Sequence, residues 1–104
     1  MVKFNLKEPK SNEPTLVVMV YWHGASTPFR YSTGQKIEPK YFDKSTYRTI
    51  TKGLPKEIAD RNETINRVLN NYQRELEIAV ETNKRLNIIT NGQNLKDALV
   101  MFFT

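Results

Sequence analysis

The chain has 104 residues and a mass of 12.2 kDa, with 38% hydrophobic and 26% charged residues, enough for one modest core. It has no cysteine and one histidine, which excludes disulfides, thiol chemistry, cysteine-based zinc sites and any site needing two imidazoles. A formal charge of +5 and a pI near 9.6 point to a polyanionic partner.

Val2 to Leu6 alternates apolar Val2, Phe4 and Leu6 with polar Lys3 and Asn5, the pattern of a half-buried strand. Residues 7–14 form a polar loop punctuated by Pro9 and Pro14. Thr15 to Trp22 is β-branched, aromatic and apolar on both sides, so it is expected as the central strand. His23 to Ser26 reads as a turn and Thr27 to Thr33 as a third strand, which Gly34 should end. Gln35 to Glu38 suits a short further strand, and Pro39 to Asp43 a helical turn with proline at its first position. Tyr47 to Thr51 is a short extended segment, and Gly53-Leu54-Pro55 closes the β region.

The second half is helical. Ile58, Ile65, Leu69, Tyr72, Leu76 and Ala79 recur at helical spacing, with Val68 and Val80 widening the stripe. Asp60 and Glu63 have capping-box spacing, which predicts a helix from about Arg61 to Thr82. Asn83 to Gln93 reads as a linker, and Asn94 to Thr104 as a second helical pattern with Leu95, Leu99, Phe102 and Phe103 apolar. The expected fold class is α+β: a three-stranded antiparallel sheet on one long helix, followed by a linker and a short helical tail. The apolar end suggests a fragment of a longer protein.

Charge divides with the fold. Residues 1–56 hold ten Lys and Arg against four Asp and Glu, whereas residues 57–104 hold six against seven. Any polyanion surface is therefore expected in the β half. No enzyme constellation is apparent. His23 sits beside Gly24 in a turn without a carboxylate near in sequence, and Glu75 and Glu77 point in different directions on a helix. There is no glycine-rich phosphate loop, HExxH pair or acidic calcium loop, so no cofactor, metal or small-molecule substrate is expected. No apolar run approaches the roughly 20 residues of a membrane span, and Met1 to Asn5 lacks a signal-peptide core. A cytoplasmic location without a membrane partner is the expectation. On the third strand, Arg30 and Ser32 alternate with Phe29, Tyr31 and Thr33. One face can then meet the helix, leaving Arg30 and Ser32 on an open face suited to a major groove.

Lys7-Glu8-Pro9-Lys10, Thr15 to Tyr21 and Phe29 to Asp43 together resemble the amino-terminal region of mobile-element tyrosine recombinases of the phage-integrase type. In that family a strand ending in Arg-aromatic-Ser-Thr-Gly leads into a lysine-hydrophobic-x-Pro-x-x-Trp element. Here the matching residues are Arg30-Tyr31-Ser32-Thr33-Gly34 and Lys36-Ile37-Glu38-Pro39-Lys40-Tyr41-Phe42, with Phe42 in place of tryptophan. Ile65-Asn66-Arg67-Val68-Leu69 resembles the family's helix start. The resemblance covers roughly residues 3–80.

The resemblance implies an arm-type DNA-binding domain over residues 1–83, with residues 84–104 as a linker and the start of a helical core-binding domain. Val17, Met19 and Tyr21 would face the helix, and Val18, Val20 and Trp22 the outer side. Catalysis would belong to a carboxy-terminal domain that this sequence lacks, so no tyrosine here is catalytic. The implied partners are double-stranded DNA and other recombinase protomers, and the implied setting is the bacterial nucleoid. Arg30, Ser32 and Lys36 are the candidate groove contacts; Lys7, Lys10, Lys40 and Lys44 are the candidate phosphate contacts. Trp22 joins the set from the outer face. The alternative expectation is a protein-interaction or self-association module using Val18, Val20 and Trp22.

Overall fold

The computed structural model describes residues 2–24 and 28–103. Three strands, β1 (Val2–Leu6), β2 (Thr15–Tyr21) and β3 (Phe29–Ile37), form an antiparallel sheet in the order β1-β2-β3. Val2 pairs with Tyr21 and Leu6 with Val17 on one side of β2, and Tyr21 pairs with Phe29 on the other. The apolar strand is central, as its two-sided hydrophobicity requires. Residues 25–27, in the expected β2–β3 turn and at the start of the expected third strand, lie outside the described residues.

Gly34 does not end β3. Leu16 faces Lys36 while Val18 faces Ser32, so Thr33, Gly34 and Gln35 stand opposite Val17 alone. Gly34 absorbs this bulge at φ +74°, a left-handed conformation that strains side chains with a Cβ. The Thr33 hydroxyl anchors the bulge by donating to the Val17 carbonyl at 2.8 Å and accepting from the Gln35 amide. The strand therefore resumes and runs to Ile37, absorbing most of the separate strand expected at 35–38.

A 3-10 turn (Pro39–Tyr41) with proline at its start leads into a small hairpin of β4 (Phe42–Asp43) and β5 (Arg48–Thr49). Helix α1 (Lys56–Arg85) follows. It begins five residues before the expected Arg61. Pro55 occupies the cap, its carbonyl accepting from the Ala59 amide at 2.9 Å, and Lys56 to Ala59 are good helix formers. The Asp60–Glu63 capping box is accordingly absent: Asp60 lies within the helix, and its carbonyl accepts from the Thr64 hydroxyl. At the other end Asn87 adopts φ +57°, the Ile88 amide donates to the Asn83 carbonyl and the Asn87 amide to that of Lys84. This is a Schellman termination, with asparagine tolerating the left-handed position. Helix α2 (Gly92–Phe103) starts from a reciprocal cap in which Asn91 and Asn94 each accept from the other's backbone amide.

One core joins these elements. Phe4, Val17, Met19, Phe29 and Ile37 from the sheet meet Ile65, Leu69 and Leu76 of α1 and Leu95 and Leu99 of α2. The tail expected to begin a further domain thus contributes two fully buried leucines to this core. No described helix is long and apolar enough to cross a membrane.

Candidate nucleic-acid interface

The period-two geometry of the strands sorts their side chains between the core and one open face. Val2, Phe4, Val17, Met19, Phe29, Thr33 and Ile37 are buried. The other set stands in rows across the sheet. Lys3, Val20 and Arg30 form the first row, Asn5, Val18 and Ser32 the second, and Leu16 and Lys36 the third. The three strands contain three cations, Lys3, Arg30 and Lys36, and no Asp or Glu.

The sequence-based candidates separate into two groups. Arg30, Ser32 and Lys36 are all exposed on this open face. Arg30, Ser32 and Lys7 share a shallow depression of about 360 Å³ with Asn5, Leu16 and Val18. Arg30 also borders a second depression, with Lys44, Phe42 and Tyr47 of the β4–β5 hairpin. Lys7 and Lys44 are thus brought to the rim of the face that carries Arg30. Lys10 is exposed in the β1–β2 loop and lines neither depression, although its neighbour Pro9 lines the second. Lys40 is engaged elsewhere: its Nζ lies 3.4 Å from Glu38 Oε2 and 5.1 Å from the centre of the Tyr41 ring. Trp22 is 54% exposed just beyond the end of β2.

Among the described residues, ion pairs run only from Glu38, to Lys40 and to Arg61 at 3.6 Å. Lys3, Lys7, Arg30, Lys36 and Lys44 form no ion pair with the described residues. Two outer-face residues escaped the sequence-based set. Lys3 and Asn5 alternate with Val2, Phe4 and Leu6, so the same period that buries the apolar residues turns these two outward.

The hairpin that carries Lys44 is fixed by polar contacts to α1. Arg48 donates from Nε to Asn70 Oδ1 at 2.9 Å, from Nη2 to Gln73 Oε1 at 2.7 Å and from Nη1 to the Tyr47 carbonyl at 2.9 Å. Its guanidinium carbon lies 4.8 Å from the centre of the Phe4 ring, and burial pulls its pKa below the usual arginine value. Thr49 is clamped by Asn66, which accepts from the Thr49 amide at 2.8 Å and donates to its carbonyl at 3.1 Å. Asn62 donates to the Ile50 carbonyl at 2.9 Å. In the turn, Asp43 accepts from the Ser45 hydroxyl and amide, which holds its carboxyl below the ordinary aspartate value. Asn62, Asn66, Asn70 and Gln73 follow one another at helical spacing, a polar stripe beside the apolar one that could have been read from the sequence.

Among the described residues no group of His, Cys, Asp and Glu could hold a metal ion. Comparisons with protein-family models, curated proteins and solved structures give no match.

Proposed function

We propose that this chain is a non-catalytic DNA-binding module whose open sheet face enters the major groove. The observation that carries this reading is the charge of that face: three strands bearing Lys3, Arg30 and Lys36 and no carboxylate, with Lys7 and Lys44 at its rim. Three strands at about 4.8 Å spacing span roughly 10 Å between the outer two, which fits a groove about 12 Å wide. Arg30 supplies the fork that matches guanine O6 and N7, and the rim lysines reach the flanking phosphates.

The resemblance to the arm-type domains of tyrosine recombinases favours the same reading and extends it. In that extension the module holds a recombinase on arm-type sites during DNA integration, beside other protomers, in a bacterial cell. The arm-binding unit would then extend past residue 83 to include helix α2, whose Leu95 and Leu99 complete its core.

Affinity for duplex DNA measured across a salt series tests the proposal. Log K should fall linearly with log[salt], by about 0.9 for each phosphate contacted. Removing Lys7 or Lys44 should flatten that slope by about one such step. An affinity for duplex that is absent, or indifferent to salt, contradicts the reading.

A further inference from the structure

Asn5, Val18 and Ser32 are direct cross-strand partners in the middle of the open face. Asn5 and Ser32 are exposed, and Val18 between them is half-buried. Asn5 shares with Asn12, Asn71 and Asn87 a side chain that makes no hydrogen bond with the described residues, but it alone of these stands on a strand of the open face. Asn62, Asn66, Asn83 and Asn94 all spend their side chains on internal hydrogen bonds. The Asn5 amide makes none with the described residues, although asparagine is disfavoured in a strand. Its donor and acceptor are thus unengaged by the described residues, and it lines the same depression as Arg30.

Resting on the DNA-binding reading, we infer that this row reads an A·T base pair beside the G·C pair met by Arg30. A carboxamide presents one donor and one acceptor, the complement of adenine N6–H and N7 in the major groove. The Val18 methyls supply an apolar surface for the thymine 5-methyl group, the only apolar landmark in that groove. Cross-strand neighbours stand about 4.5–5.5 Å apart, so Asn5 and Val18 can address one base pair or two successive ones. Arg30 lies two positions from Ser32 on the same face of β3, about 7 Å along the strand, and the reach of its long side chain brings the adjoining step within range.

The test uses the full chain and a duplex selected from a randomised pool, with a scrambled duplex as control. Selected duplexes should share an A·T pair next to a G·C pair. Asn5→Ala should weaken binding to the selected duplex roughly 5- to 150-fold and change the scrambled one by less than about twofold. Replacing the selected thymine by deoxyuridine removes only the methyl group, and should cost the unaltered protein about 3- to 5-fold. Equal losses on both duplexes for Asn5→Ala, or no loss with deoxyuridine, overturns the assignment while leaving DNA binding intact. Absence of salt-dependent binding to every duplex overturns the DNA-binding reading itself.

Discussion

Val20 and Arg30 are direct partners across β2 and β3, and Val20 is only 5% exposed although it lies on the open face of the sheet. Val20 is also opposite Lys3 on the other side. Two long side chains thus flank one valine, and aliphatic stems in that position can cover it while their charged ends stay in water. The face is apolar beneath and cationic above, an arrangement suited to a groove with charged walls and base edges at its floor.

Arg30→Ala should weaken binding to a cognate duplex by about 1–3 kcal/mol and to a random duplex by much less. Arg30→Lys keeps the stem over Val20 and the charge but loses the planar fork, so it should retain non-specific affinity and lose discrimination. Competition binding with both duplexes reads the difference. Equal losses would make Arg30 a backbone contact.

Arg48→Ala should destabilise the fold by about 2–4 kcal/mol, since it removes three hydrogen bonds and the contact with Phe4. Arg48→Lys should recover little, because an ammonium cannot serve these acceptors in the same plane. Urea denaturation measures both. A loss below about 0.5 kcal/mol for Arg48→Ala would make the network ornamental rather than structural.

Asn66→Ala strands the amide and carbonyl of buried Thr49, and should cost about 2–3 kcal/mol. Asn66→Asp keeps an acceptor for the Thr49 amide but turns a carboxylate toward the carbonyl, so it should also destabilise. Hydrogen exchange at Thr49 provides the local readout. Unchanged protection in both variants contradicts the clamp.

Asp43 is held below its ordinary pKa, chiefly by the Ser45 hydroxyl and then by the Ser45 amide. Its contribution to the turn is therefore present above the unfolded-state value, near 3.8, and lost as pH falls through the lower folded value. An NMR titration of the Ser45 amide should show its acid transition below that of a model aspartate, and Asp43→Ala should abolish it. A midpoint at or above the model value contradicts this account.

Strand β1 and the central place of β2 were legible because apolar alternation and a two-sided apolar run have few other solutions. The helical stripe at Ile65, Leu69 and Leu76 was legible for the same reason, as was the helical pattern at Leu95 and Leu99. Helix ends were not. Asp60 matched a cap by spacing, but nothing after Pro55 opposed helix formation, and the actual stop at Asn87 depends on a backbone conformation that composition does not disclose. Gly34 read as a terminator because a left-handed glycine both ends strands and permits bulges; only the register of Leu16 and Val18 distinguishes the two. At the candidate interface, Arg30, Ser32 and Lys36 follow from strand phase. Lys40 illustrates the limit of counting charges, since its neighbour Glu38 lies close enough to pair with it.

Backbone chemical-shift mapping with duplex DNA tests the central claim most directly. The account predicts that DNA first perturbs Asn5 to Lys7, Val18 to Val20 and Arg30 to Lys36, while the exposed apolar residues Ile88, Ile89 and Met101 stay unshifted. Shifts confined to those helical residues, or shifts at Val18 to Trp22 that depend on protein concentration and not on DNA, would contradict it.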